Sequence, residues 1–368
     1  MAYIDFSRAF DSIIHSKLLA KLSAYGVSGP LHMWIAAFLR DREQYVRIEN
    51  CLSPTVCVRS GVPQGSVLGP ILFILYINDV TDILVDDVSC KLYADDLKLY
   101  CPIVPTLGFS ESLQTSLDNL CDWSLKWQLP INVDKSFFVT ISRNNICNCV
   151  HSYRILCSLL TRRFSVDDLG IAYDCNLCFD NYVNNIASSA KAKVGLLFRS
   201  FKTRDPALLK RAYVTYIRPK LEYASNLWNP FHKTTIAVLE NVQRYFTRRI
   251  PSLSIFSYEE RLAMLNLDTL EKRRLKSDLV LYYKILHGLS SIPASAFDTY
   301  NTCSVSRSKS SLLRKNIAGT QACYFSFFNR AVDCWNVLPS SLTDASSLSV
   351  FRSRLDMTDL SHYCTVLA

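Results

Sequence analysis

Tyr93-Ala94-Asp95-Asp96 lies between two runs in which apolar and polar residues alternate, Cys90-Lys91-Leu92-Tyr93 and Leu97-Lys98-Leu99-Tyr100. The alternation has a period of two, so the stretch reads as a β-hairpin with a charged tip. Two carboxylates side by side at a turn need a cation or solvent to offset their repulsion. A metal site is one reading. A solvated Asp-Asp turn is the other, because Asp is a common turn residue.

Outward from this hairpin, Ala2-Tyr3-Ile4-Asp5-Phe6 reads as a short strand at the start of the chain. Residues 12–25 place Ile13, Leu18, Leu19, Leu22 and Tyr25 at helical spacing, ending at Gly26. A second helix fits 30–40, with Pro30 near its start and Trp34, Ile35, Phe38 and Leu39 on one side. Segments 44–48 and 55–59 alternate around Ser53-Pro54 as a hairpin would. Ser60-Gly61-Val62-Pro63-Gln64-Gly65-Ser66 breaks regular structure, and an apolar helix follows from Val67 or Pro70 to about Asn78. Residues 110–127 form an amphipathic helix with Leu113, Leu117, Leu120, Trp123 and Trp127 inward, and 136–142 and 164–173 supply further strands. Beyond Tyr182 the pattern is helical to about His287. Serine then becomes frequent over 290–311, which reads as a linker, and an apolar segment returns at 324–338.

With the segment between residues 12 and 59 treated as an insertion, the first 142 residues order as β-α-β-β-α-β. This is a split sheet of four antiparallel strands with two helices on one face, an α+β arrangement. In that layout the first strand lies beside the charged hairpin, so Asp5 meets Asp95 and Asp96. Three carboxylates on one sheet edge make a hard, oxygen-rich site of the kind Mg²⁺ accepts. Two such ions could activate an attacking hydroxyl and stabilise the leaving oxygen of an in-line phosphoryl displacement.

Three stretches in this order carry a resemblance: Ala2-Tyr3-Ile4-Asp5-Phe6-Ser7-Arg8-Ala9-Phe10-Asp11, Ser60-Gly61-Val62-Pro63-Gln64-Gly65-Ser66-Val67-Leu68-Gly69-Pro70, and Tyr93-Ala94-Asp95-Asp96. Together they resemble the successive palm motifs of non-LTR (LINE-type) retrotransposon reverse transcriptases. The middle stretch is long and specific, whereas Ala-Asp-Asp alone is weak. Trp123-x-x-x-Trp127, Asn132-x-x-Lys135 and Leu169-Gly170-Ile171 extend the match. Ile217-Arg218-Pro219-x-Leu221-Glu222-Tyr223, Leu239-Glu240-x-Val242-Gln243-Arg244 and Cys334-Trp335-Asn336-x-Leu338-Pro339 resemble the region after the polymerase in jockey- and CR1-like elements.

The resemblance implies a polymerase palm with partial fingers over 1–174 (the fingers part being 12–59), and a helical thumb and post-palm region over 175–289. A linker over 290–311 and a small C-terminal segment over 312–368 would complete the chain. It implies an RNA-directed DNA polymerase in which Asp5 and Asp95 bind two Mg²⁺ ions, with Mn²⁺ an accepted substitute. Asp96 would support the site and the backbone carbonyl of Phe6 would ligate one ion. Phe10 would stand against the sugar and favour deoxynucleotides, Gln64 and Gly65 would lie against the template base and incoming dNTP, and Lys135 would protonate departing pyrophosphate. Without the motif, Phe10 reads equally as a buried aromatic and Lys135 as a solvated lysine. The partners would be an RNA template, a DNA primer and dNTPs. Family members carry a further fingers region and usually an endonuclease ahead of the Asp5 strand. A chain starting at Met1 is therefore expected to keep its metal carboxylates while polymerising weakly or not at all.

The charge pattern agrees with a polyanionic partner. The formal net charge is +9, and between Lys191 and Lys276 there are 18 Lys plus Arg against 7 Asp plus Glu. Aromatics interleave with the basic residues, which makes Lys191, Lys193, Arg199, Lys202, Arg244, Arg248 and Arg249 candidates for phosphate contacts. A set of helices with solvated basic faces is the plainer reading. The longest apolar run, 67–77, is interrupted by Gly69-Pro70 and is too short to span a membrane, and no apolar leader is present. An intracellular protein, nuclear or cytoplasmic and not secreted, is expected. Its 14 cysteines are expected to be reduced and many of them core residues. Cys147-x-Cys149-x-His151 and Cys175-x-x-Cys178 lack a second ligand pair at zinc spacing, and Leu177 and Phe179 read as core positions. Two other functions compete. One is a non-catalytic nucleic-acid-binding protein derived from such an element; the other is a maturase-type reverse transcriptase, against which the Trp335-Asn336-x-Leu338-Pro339 tail argues.

Overall fold

A computed structural model describes residues 1–103, 109–142, 152–299, 312–316 and 319–365. The chain divides into two compact units, Met1–Val166 and Asp167–Ala368.

The first unit is built on β1 (Ala2–Phe6), followed by α1 (His15–Ala24) and α2 (Gly29–Leu39). A short hairpin pairs Glu43–Gln44 with Val56–Cys57, and α3 (Leu68–Ile77) follows. Next come β2 (Ser89–Tyr93), β3 (Asp96–Tyr100), α4 (Glu111–Trp127) and β4 (Ile131–Phe138). With β5 (Thr161–Arg162) they form one sheet in the order β5-β4-β1-β3-β2, antiparallel except for the β5–β4 pair. This is the expected split β-α-β-β-α-β sheet with a short extra edge strand. Helices α3 and α4 cover one face: Leu72, Phe73 and Tyr76 from α3 and Leu113, Leu117, Leu120 and Trp123 from α4 pack on Ala2, Ile4, Leu97 and Leu99. Ser110 caps α4 by accepting from Leu113 N, at the end that Leu113 spacing predicts.

Lys21 is 4% exposed beneath this core. Its ammonium donates to Asp79 and the Tyr76 carbonyl and sits 3.7 Å from the Trp127 ring and 5.0 Å from that of Trp123. The Trp123-x-x-x-Trp127 spacing therefore serves to cage a buried cation.

Strand β4 begins earlier than the 136–142 expected from the sequence, because a bulge hides its alternation. Of the 11 described cysteines, all free, only Cys334 and Cys364 are buried, which corrects the expectation that many are core residues. Cys51 and Cys57, for example, lie on exposed strands between α2 and α3, Cys51–Leu52 pairing with Arg47–Ile48 and Val56–Cys57 with Glu43–Gln44. Leu177 is likewise 42% exposed, at φ 59°, because it occupies the tight turn whose amides cap on Asp174. Cys147, Cys149 and His151 lie outside the described residues, as do 300–311 of the expected linker. Among the described residues no helix is long and apolar enough to cross a membrane.

The second unit opens with the hairpin β6 (Ser165–Asp168) and β7 (Ile171–Asp174), turning at Leu169-Gly170, whose β6 strand starts at the unit boundary. Helices α5 (Asp180–Ser200), α6 (Pro206–Tyr216), α7 (Lys233–Arg248), α8 (Tyr258–Leu265) and α9 (Leu270–Leu286) follow, interspersed with shorter turns. The Leu239-Glu240-x-Val242-Gln243 motif is a buried lock. Glu240 accepts from Tyr258 Oη and Leu270 N, and Gln243 bonds Tyr213 Oη, Tyr258 Oη and the Asp268 carbonyl. Tyr282 and Tyr283 of α9 anchor the C-terminal segment, donating to the carbonyls of Phe327 and Ala345.

Burial pushes the Tyr76 phenol up to about 12, the nearby Asp79 carboxylate adding to the effect, and raises the Cys334 and Cys364 thiols to about 12. Folding thus favours their neutral forms. The stability this represents is complete below the ordinary thiol and phenol values of 9.0 and 10.0, and is lost as pH rises towards 12. The urea midpoint should hold between about pH 7 and pH 8.5 and fall steadily above pH 9. Tyr76→Phe should flatten part of that fall, and an unchanged slope would contradict the assignment.

Candidate active site

Pleating divides β1 between two environments. Ala2, Ile4 and Phe6 enter the core, while Tyr3 and Asp5 point to the face that the helices leave uncovered. There Tyr3 stacks on Phe137 with ring centroids 4.9 Å apart. The β1–β3 register runs Ala2↔Leu99, Tyr3↔Lys98 and Ile4↔Leu97, so Asp5 and Asp96 follow as the next neighbours. Tyr93 pairs with Asp96, which leaves Ala94 and Asp95 as a two-residue turn. Ala94 sits at φ 54°, in the left-handed region that costs a residue with a Cβ about 1–2 kcal/mol. Ala94→Gly should therefore stabilise the fold by up to about 1 kcal/mol, and Ala94→Val should destabilise it by about 1–2 kcal/mol in urea unfolding. A destabilising glycine would show that the turn carries no such strain.

On the other side of β1, β4 pairs Asn132 with Asp5 and Phe137 with Tyr3, so four residues of β4 bulge opposite Ile4. Asn132 Oδ1 accepts from Lys135 N, and Ser136 Oγ donates to the Asn132 carbonyl at 2.7 Å while accepting from Asp5 N at 3.1 Å. The Asn132-x-x-Lys135 spacing is the length of this bulge. It sets Lys135 Nζ 3.8 Å from Asp5 Oδ2. Lys135 is largely exposed, so the pair contributes little to stability.

The donor set around β1 suits a hard cation, with the Lys135 ammonium as a positive group already beside Asp5. Phe6 can offer only its backbone, since its ring is buried 6.2 Å from that of Trp123. Among the described residues, no three His, Cys, Asp or Glu side chains gather closely enough to hold a metal by themselves. Asp5 and Asp96 are strand neighbours with Asp95 in the adjoining turn, short of a closed three-carboxylate cage.

The 60–70 stretch packs onto the segment that follows β1, residues 10–15. Gly61 N donates to the Ile13 carbonyl at 2.7 Å, Val62 N to the Phe10 carbonyl at 2.9 Å, and Ser60 Oγ to the Asp11 carbonyl at 2.8 Å. His15 Nε2 donates to the Gly61 carbonyl at 2.8 Å, and Gln64 Nε2 to Asp11 Oδ1 at 2.9 Å. Phe10 is half-buried and stacked on Phe73 at 4.3 Å, and Gly65 is exposed at φ 79° with open space around it. Sequence reasoning missed Asp11, His15 and Gly61. The signal for Asp11 was its place directly after Phe10, whereas His15 and Gly61 are joined to the site only through the hydrogen bond between them and the backbone contacts of Gly61. A cavity of about 740 Å³ here is lined by Arg8, Asp11, His15, Arg42, Arg59 and Gln64 among others.

The basic candidates fall into separate groups. Lys191 lies 5.2 Å from the Tyr245 ring, and Arg249 lies 5.3 Å from the same ring and 5.0 Å from Phe198, where Arg204 also stacks. Arg244 stacks on Tyr258 at 4.1 Å, with Arg261 5.7 Å from that ring. Burial and the charges of Arg248 and Arg244 lower the Arg261 pKa. Lys193, Arg199 and Lys202 are exposed. Sequence reasoning missed Arg204 and Arg261, which lie outside the aromatic-flanked runs.

A split antiparallel sheet carrying adjacent acidic residues on its open face, with a glycine-containing loop bound to the segment after its first strand, is the arrangement of a polymerase palm. Residues 1–181 match the family described as reverse transcriptase (RNA-dependent DNA polymerase). The chain is 28% identical over 257 residues to the RNA-directed DNA polymerase from mobile element jockey of Drosophila funebris, covering 67% of this chain and 28% of that protein. It is 26% identical over 282 residues to a probable RNA-directed DNA polymerase from transposon BS of Drosophila melanogaster, covering 74% of this chain and 31% of the relative. The chain thus spans less than a third of these relatives. Among solved structures, telomerase from Candida albicans matches over 75% of this chain and 48% of its own, at 15% identity and a TM-score of 0.35. Reverse transcriptases generally use divalent metal ions.

Proposed function

We propose that the chain is the reverse transcriptase segment of a non-LTR retrotransposon polymerase, adding dNTPs to a DNA primer on an RNA template. The observation that carries this reading is Asp5 beside Asp96 on the open sheet face, with Asp95 in the turn and Lys135 3.8 Å away. Asp5, Asp95, Asp96 and the Phe6 carbonyl would hold two Mg²⁺, or Mn²⁺ in their place, which when bound supply activation of the primer hydroxyl and charge stabilisation of the leaving pyrophosphate. Lys135, 3.8 Å from Asp5, would donate a proton to that leaving group. Gln64, oriented by Asp11, and Gly65 would meet the template base and incoming nucleotide, and Phe10 would border the sugar. The 1–174 region serves as palm with partial fingers, and 175–289 as thumb and post-palm surface. There Lys191, Lys193, Arg199, Lys202, Arg244, Arg248 and Arg249 would meet phosphates without reading sequence.

The test is primer extension on an RNA template by the purified chain with Mg²⁺, beside a binding titration over a range of salt. Metal-dependent extension supports the reading. Template–primer binding with a steep salt slope and no extension would instead favour a non-catalytic nucleic-acid-binding protein, a reading to which the open carboxylate arrangement lends some weight.

A further inference from the structure

The bulge of β4 beside Asp5 is tied down by one buried hydroxyl. Strands β1 and β4 pair at Asp5↔Asn132 and again at Tyr3↔Phe137, and between these pairs the bulge interrupts the regular ladder. The Asp5 N–H, which points at β4, therefore has a side-chain oxygen as its acceptor. Ser136 Oγ takes this bond at 3.1 Å and donates in turn to the Asn132 carbonyl at 2.7 Å. Ser136 is 0% exposed, so solvent does not replace either partner.

Asn132 closes the same turn from within, its Oδ1 accepting from Lys135 N at 3.3 Å. Asn132, Ser136 and Lys135 thus have separate tasks. Asn132 shapes the turn, Ser136 joins it to the Asp5 backbone, and Lys135 projects from it to 3.8 Å from Asp5 Oδ2. Lys135 cannot fix that distance by itself. Its side chain is 71% exposed, and an ion pair in solvent is too weak to hold a flexible ammonium in one place. The spacing is set by the backbone on which Lys135 is mounted, and the Ser136 hydroxyl anchors that backbone to Asp5.

We propose that Ser136 is a positioning residue of the palm. Its hydroxyl fixes the Asp5 peptide against the bulge that carries Lys135, and so sets the spacing of carboxylate and ammonium on which metal binding and proton donation depend. The role rests on the reading of Asp5 as a metal ligand and Lys135 as a proton donor. Ser136 is buried and acts only through these two residues.

Three variants of the full chain test it. Ser136→Ala removes the hydroxyl, while Ser136→Val and Ser136→Thr share one shape and differ only in having it, so any crowding is common to both. Amide hydrogen exchange followed by NMR reads the tie without metal or turnover, with the buried Leu117 of α4 as the reference for global opening. Relative to that reference, the Asp5 amide should exchange about tenfold or more faster in the Ala and Val variants and near the parent rate in the Thr variant. Mn²⁺ affinity, read by electron paramagnetic resonance, should fall by roughly three- to tenfold in Ala and Val and be kept in Thr. Equal behaviour of Thr and Val, an Asp5 amide no faster in Ser136→Ala, or faster exchange with unaltered Mn²⁺ affinity would each overturn the positioning role alone. Absence of Mn²⁺ binding by the parent chain would instead overturn the polymerase reading, and with it the role that rests on it.

Discussion

Asp95→Asn is expected to lower Mg²⁺-dependent, RNA-templated nucleotide addition by about 10²- to 10³-fold, and Asp5→Asn by at least as much. Either change removes one negative charge where the proposed ions bind, so the loss should appear in metal affinity as well as in rate. Mn²⁺ binding followed by electron paramagnetic resonance supplies that readout without any need for turnover. Stability should scarcely move, because Asp5 gives up only an ion pair with an exposed lysine, worth well under about 1 kcal/mol. Lys135→Ala should reduce extension while leaving Mn²⁺ affinity unchanged or raised, since it removes a competing cation from Asp5. Asp95→Asn chains that bind Mn²⁺ and extend primers as the parent does would remove the carboxylates from the site.

Gly61→Ala should be among the most destabilising single changes in the first unit, by roughly 3 kcal/mol or more. A Cβ at Gly61 would stand 2.7 Å from Asp11 Cα and 2.8 Å from the Phe10 carbonyl oxygen, and the residue already has φ 87°. Both obstacles are backbone, so neither can swing aside. Gly61 also accepts from His15 through its carbonyl and donates to the Ile13 carbonyl through its N–H, so the damage should spread to the seat of Gln64. Gly65→Ala is the matched control. Its φ of 79° imposes strain, but nothing lies within 4 Å of the added methyl, so only about 1–2 kcal/mol should be lost. Urea unfolding of the two variants separates the cases, and equal losses would refute the close approach of Gly61 to the Phe10-Asp11 backbone.

Much of the site was legible in the residues. Period-two alternation around Asp95-Asp96 and in Ala2–Phe6, with helical spacing in Leu113, Leu117, Leu120 and Trp123, is enough to order the sheet and helices, because each side chain's face follows from backbone geometry alone. Other features were not. The β4 bulge breaks alternation, so the strand start was misplaced even though Asn132-x-x-Lys135 was recognised. Arg261 meets the Tyr258 ring because the two are three residues apart on one helix, whereas Arg204 reaches Phe198 only because the chain turns back after the helix that carries Phe198.

By itself the sequence determined the order of the sheet and helix elements, since local periodicity encodes it, and its short motifs put forward Asp5, Asp95 and Asp96 as the candidate carboxylates. Only the tertiary structure decided the exact β1–β3 register, that Lys135 reaches Asp5 across a bulge, and that Gly61 is pressed on Asp11. It also decided that Ser136 is buried against the Asp5 amide. These are distances between residues remote in the chain, set by strand register and packing, and composition and spacing do not contain them.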